Sequence, residues 1–183
     1  MEKNLSNLSF TIAVVFFLAA LGILLMRHSR RVRRAANSDW EQLLDRLEPV
    51  NRSDIERIAR DALDEESSAL GEMDGSSMFS MLGGLQGLEV LERNCQVLID
   101  LASYVQRWYP EALVVSEQLR LNARELEWHV GRLKGAAQTG NLQTAFADYA
   151  QRTVVIYYVM TRNVLELYTR ASLPGLIQLE AAL

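Results

Sequence analysis

Apolar residues recur every three or four positions along the second half of this chain. Leu88, Leu91, Cys95, Leu98, Ala102, Val105 and Tyr109 make one seam, and Val97, Leu101, Tyr104 and Trp108 widen it. This is the pattern of a helix buried along one side, and its breadth suggests a central position. After Pro110 the alternation resumes at Ala112, Ser116, Leu119, Ala123, Leu126, Val130, Leu133 and Ala137. The register runs on through the proline, so one kinked helix is an alternative. A break is preferred, because proline lacks an amide hydrogen and disfavours a helical residue before it, and because an antiparallel hairpin buries both seams together. Gln138-Thr139-Gly140-Asn141 reads as a turn, with Gly140 as a left-handed cap and Asn141 starting the next helix. That helix carries Leu142, Phe146, Tyr149, Thr153, Ile156, Met160, Val164, Leu167 and Ala171, and is apolar nearly all round between Thr153 and Thr161. A buried strand would fit those few residues, but the helical spacing continues on both sides and no partner strand exists. Pro174-Gly175 then ends the long-helix region, 88–173, before an apolar tail, 174–183.

Upstream, residues 38–70 predict two short amphipathic helices. Ser38 with Glu41, and Ser53 with Glu56, have the spacing of capping boxes. Pro49 separates the two segments, and Ile55, Ile58, Ala59, Ala62 and Leu63 share one face of the second. Trp40 suits either a membrane interface or a core contact. Residues 71–87 hold five glycines and three methionines, and glycine costs a helix about 1 kcal/mol per residue relative to alanine. The stretch reads as a loop and a natural hinge, with at most a weak turn near Ser77 to Leu82.

The longest apolar run lies nearest the start. Residues 8–26 carry no charge, only Ser9, Thr11 and Gly22 interrupt them, and Arg27, Arg30, Arg31, Arg33 and Arg34 follow. At about 1.5 Å per residue such a helix spans roughly 28 Å, close to the hydrocarbon thickness of a bilayer. A cleaved secretion signal would be shorter and end in a small-residue cleavage site, whereas arginines stand here. The expectation is a single transmembrane helix at 8–26, a short extracytoplasmic segment at 1–7 and a basic juxtamembrane segment at 27–37. Cationic flanks stay on the cytoplasmic side, which puts the C-terminal domain in the cytoplasm of a cell whose inner membrane holds the anchor.

Charge divides the chain at the same place. The first 34 residues hold six Lys and Arg and one acid, net +5, while the remainder holds 13 basic and 22 acidic side chains, net −9. An acidic domain repels a phosphate backbone, so no nucleic-acid partner is expected. A single cysteine, Cys95, allows no internal disulfide, and its place on the apolar seam reads as a small buried hydrophobe.

Candidate chemistry is sparse. His129 is the only histidine beyond the membrane flank, too few for a catalytic triad or a di-metal bundle site. The 71–87 glycines lack the Lys and Ser/Thr of a phosphate loop, and Met73, Met78 and Met81 read as gap fillers rather than metal ligands. No catalytic residue, cofactor or metal is therefore implied. Leu133-Lys134-Gly135-Ala136-Ala137, followed by Gly140, resembles the motif of histidine-containing phosphotransfer domains, which are four-helix bundles. That family's phosphate acceptor sits two residues before the Leu-Lys-Gly. Here that position is Gly131, and His129 lies about 200° around the helix from it. Tyr109-Pro110-Glu111-Ala112 and Leu142-Gln143-Thr144-Ala145, 33 residues apart, resemble tetratricopeptide-repeat turns, on helices far longer than that family uses.

Val114, Leu121 and Trp128, spaced by sevens, fall opposite the Ala112 to Ala137 seam. Either the amphipathic helix at 54–66 covers them, or a second copy or another protein does. The resulting expectation is an all-α chain, one transmembrane helix followed by an antiparallel bundle with three long helices. It would serve as a non-catalytic scaffold or protein-interaction module on a lipid bilayer, with protein partners or self-association. The alternative is a membrane-tethered phosphotransfer bundle using His129.

Overall fold

The computed structural model describes residues 40–63 and 74–183, with Val15, Phe17 and Gly22 individually. The predicted span 8–26, apart from those three residues, the five arginines, Ser38 and Met73 lie outside the described residues. The chain divides into two units, 1–37 and 38–183. In the first, Val15, Phe17 and Gly22 are helical, and Val15 and Phe17 are exposed. Among the described residues no helix is long and apolar enough to cross a membrane.

The second unit is all-helical over its described residues: α1 Trp40–Leu44, α2 Arg52–Leu63, α3 Gly75–Leu82, α4 Gly84–Val105, α5 Ala112–Gln138, α6 Leu142–Arg170 and α7 Leu176–Ala182. The predicted seams are the observed core. Leu88, Leu91, Cys95, Leu98, Ala102 and Val105 of α4 are buried against Ala112, Ser116, Leu119, Ala123, Leu126, Val130 and Leu133 of α5. The two helices run antiparallel. Ser103 accepts from Arg120 at one end, at 3.3 Å, while Lys134 reaches Glu89 and Glu92, each at 3.2 Å, toward the other. Pro110 breaks the helix: α4 stops at Val105, whose carbonyl accepts from the amides of Trp108 and Tyr109, and α5 restarts past the proline. Ala137, placed on the seam by spacing, is exposed because the helix has by then run past its partners.

Gly140 ends α5 in the left-handed region, φ 75°. Asn141 N–H reaches back to the Ala136 carbonyl at 2.9 Å, the outer bond of a Schellman-type cap. Asn141 occupies the N-cap position of α6, but its side chain makes no cap hydrogen bond.

Four expectations are corrected. The central helix is α6, not α4: α2, α3, α4, α5 and α7 all pack on it. Only a helix apolar all round can serve so many neighbours, and every residue from Thr153 to Thr161 is buried or half-buried. The 71–87 hinge is, from Gly75 on, the eight-residue helix α3 and the first turn of α4. Gly83 and Gly84, both at φ 69°, turn the chain directly from one helix into the next. Gly87 lets the Leu82 carbonyl approach so closely that an added Cβ would lie 1.6 Å from its oxygen. These glycines are corner pieces: Gly83 supplies a left-handed backbone, and Gly84 and Gly87 allow close approach. The long helix of 88–109 accordingly runs from Gly84 to Val105. Asn51, not Ser53, caps α2: its carbonyl takes the Ile55 amide at 3.1 Å and its side chain the Asp54 amide at 3.4 Å.

Asn94 is a buried polar residue that the spacing did not single out. Its Oδ1 accepts from the Glu48 amide at 2.9 Å, and its Nδ2 donates to the Glu48 carbonyl at 2.8 Å and to the Tyr157 hydroxyl at 3.4 Å. It thereby satisfies an irregular piece of backbone, just before Pro49, that has no helix to close it. Burial pushes the Tyr157 phenol up to about 12. The Arg93 guanidinium, hydrogen-bonded to Glu48, holds that carboxyl below the usual range. The apolar tail folds as α7 and docks through the buried Leu179 and Leu183, and Arg52 donates to the Glu180 carbonyl at 3.1 Å.

Candidate interaction surface

With its seam buried between α4 and α6, α5 turns the opposite side outward. Val114, Leu121 and Trp128 are 73%, 58% and 56% exposed. The expected cover from the amphipathic helix at 54–66 is corrected. Helix α2 packs instead on α6 and α3, through Ile55, Ile58 and Ala59, while Ala62 and Leu63 stay exposed. Its apolar face closes one of the many sides of α6, so it is not free to cover α5.

Trp128 is held rather than loose. Its ring lies edge-on to His129 at 5.0 Å and to Tyr149 of α6 at 5.8 Å, and the Arg132 guanidinium stands over it at 5.8 Å. A preoriented aromatic with a cation stacked on it loses little freedom on binding, a property of interface anchors. At the other end of the stripe, Val114 opens into a groove of about 420 Å³ between α5 and α6, edged by Gln118, Asn163, Glu166 and Arg170.

His129, the residue of the phosphotransfer alternative, is 3% exposed, and neither Nδ1 nor Nε2 has a hydrogen-bond partner. Glu125 Oε1 stands 3.8 Å from Nε2, too far to accept a hydrogen bond. Burial holds the imidazole below its usual range, and the nearby Arg152 adds to this against the opposing pull of Glu125. The geometry follows from the two-residue offset noted in the sequence. Gly131, where the phosphotransfer family has its acceptor, is exposed with open space around it, and the position two residues back faces the bundle. A phosphoacceptor must meet a bulky donor, and this imidazole has no open edge to offer one.

Cys95 is buried, and burial pushes its thiol far up, which leaves no thiolate for nucleophilic chemistry. Met78 fills the core, and Met81 accepts from Arg57. Among the described residues no group of three or more His, Cys, Asp or Glu is placed to hold a metal ion.

The spacing also missed an aromatic cup of about 630 Å³ where α1 meets the ends of α4 and α6. Trp40 stacks 5.1 Å from Tyr168 and 6.2 Å from Tyr104, and Tyr104 is 5.0 Å from Trp108. Trp40 thus makes core contacts, and Gly175 lies so close to it that a Cβ there would meet the indole at 2.7 Å. The Tyr168 hydroxyl is turned away to the Leu101 carbonyl at 3.3 Å. Glu41 and Gln178 are the polar rim, and they form no catalytic arrangement. A signal existed in Tyr104 and Trp108 on one stripe, but their partners lie more than 60 positions away along the chain.

No protein-family model matches this chain, and neither does any curated protein or solved structure.

Proposed function

We propose that this protein is a non-catalytic scaffold, held to a membrane by residues 8–26, whose helical bundle binds protein through the outer face of α5. The observation that carries the reading is the uncovered row Val114, Leu121 and Trp128 on a helix whose other side is packed from Ala112 to Leu133. Apolar residues repeated at one turn-pair spacing on a free face, with an aromatic anchored beneath a cation, suit a helix or groove of another polypeptide. The membrane part rests on the sequence: an uncharged run of bilayer length closed by five arginines, with a −9 remainder that an anionic leaflet would repel. The exposed apolar Val15 and Phe17 agree with it.

The test is Leu121→Asp in the full-length protein within its native membrane. The side chain is exposed, so the melting temperature should stay within the shift expected of about 0.5 kcal/mol. Chemically crosslinked complexes should disappear. Persistence of the same complexes at wild-type yield would refute the assignment of the face.

A further inference from the structure

The charges beside the apolar row show what can lie on it. The outer face of α5 carries, in order, Val114, Glu117, Gln118, Leu121, Arg124, Glu125, Trp128, Gly131 and Arg132, all exposed. Among the described residues Arg124 and Arg132 have no carboxylate partner. Glu125 has beside it only His129, which burial keeps neutral, and Glu117 is paired with Arg120 while remaining half exposed. A face with both signs and little internal pairing has a definite set of complementary partners.

We propose that this face pairs with the same face of a second copy, antiparallel, about a two-fold axis that passes between Arg124 and Glu125. Each contact then occurs twice, as isologous symmetry requires. Leu121 meets the partner's Trp128, Glu117 meets the partner's Arg132, Arg124 meets the partner's Glu125, and Gln118 faces the open backbone at Gly131. Val114 comes over Gly135, which is likewise exposed with free space around it.

The other two-fold arrangements fail on charge or polarity. Sliding the pair by one heptad in one direction sets Glu117 against the partner's Glu125, and in the other sets Arg124 against the partner's Arg132. Sliding by half a heptad puts Leu121 against Glu125 and Trp128 against Gln118. A parallel pair stacks Glu117 on Glu117 and Arg124 on Arg124. Among two-fold registers this one alone matches both charge and apolar character, and like charges across an interface select against the others; a parallel pair staggered by one heptad also matches charge but is heterologous and does not close. The apolar anchors are few, so pairing draws on the high effective concentration of two chains tethered to one bilayer. The inference rests on the reading of α5 as the interaction face.

The experiment uses the full chain in liposomes, as a mixture of ¹⁴N- and ¹⁵N-labelled protein carrying a photo-crosslinker in place of Leu121. Mixed-isotope adducts landing at or beside Trp128 are expected. Arg124→Glu should cut their yield at least fivefold, and the double variant Arg124→Glu with Glu125→Arg should restore it to within twofold, with melting temperatures unchanged. Adducts confined to one isotope, adducts joining 121 to 121, or a double variant as poor as the single one would overturn the pairing. The same probe in native membranes separates the two levels. If position 121 crosslinks only to another protein, self-pairing falls and the interaction face stands; if it crosslinks to nothing, both fall.

Discussion

Protonating His129 inside the bundle is offset only in part. The imidazole lies between Trp128 and Tyr149 with no hydrogen-bond acceptor in reach, the Glu125 carboxylate 3.8 Å away favours the charged form, and burial and Arg152 oppose it. Its folded pKa lies below the unfolded value near 6.5, so the folded state binds the proton less well. The stability linked to His129 is therefore present in full above about pH 6.5 and declines as the pH falls from there toward the folded value. Between pH 7.5 and 5.5 the wild-type melting temperature should drop. In His129→Leu that drop should shrink, while stability at pH 7.5 changes by less than about 1 kcal/mol, because both unpartnered nitrogens are removed together. An unchanged slope in the variant would assign the linkage elsewhere.

Asn94 works in the opposite sense, since everything it touches depends on it. Asn94→Leu leaves the Glu48 amide and carbonyl without partners in a partly buried site, a loss of about 2 kcal/mol or more by urea unfolding. Gly87→Ala drives a methyl into the Leu82 carbonyl and should cost about 2 kcal/mol or more in the same assay. Gly131→Ala, in open space on a helix, should be neutral or stabilising by up to about 1 kcal/mol. If Gly87→Ala proved as harmless as Gly131→Ala, the corner between α3 and α4 would be wrongly described.

At the level of elements, three- and four-residue spacing located α4, α5 and α6 and the seams between them, because each buries a stripe whose period is set by local geometry. Pro110 and Gly140 marked the two turns for equally local reasons. The reading failed where a tertiary contact decided the outcome. Glycine-rich 75–87 looked unfit for helix, yet packing of Met78 into the core and of Phe79 against Phe146, 4.9 Å apart, supports α3 there. The central role of α6 was visible in its all-round apolar stretch and was given instead to α4, whose seam is widened by a second stripe but stays one-sided. Of the interaction face, the three apolar residues were legible as the side opposite the seam. Whether α2 would cover them was not, because that depends on which of two unfilled faces it reaches. The burial of His129 went unread because its two-residue offset from Gly131 was set against a motif and not used to ask which way the ring points.

For the whole molecule, composition and tertiary structure give complementary parts. A net charge of −9 beyond residue 34 disfavours contact with a phosphate backbone or an anionic surface, and the lone cysteine is buried. Unit 38–183, all-helical over its described residues, has its own core, drawn from all seven helices described. Residues 38–183 alone should melt cooperatively and remain in the supernatant after membranes are sedimented, whereas the full chain should stay in the pellet through alkaline carbonate washing. A full chain released by carbonate would remove the anchor from the account.

The most direct measurement of the central claim is a photo-crosslinking scan along α5 in native membranes, one position at a time from 113 to 132. The account predicts intermolecular adducts that peak at 114, 121 and 128 and fall to background at Glu127 and Leu113, which flank the row. Equal yields at every exposed position, or a maximum away from those three, would contradict it.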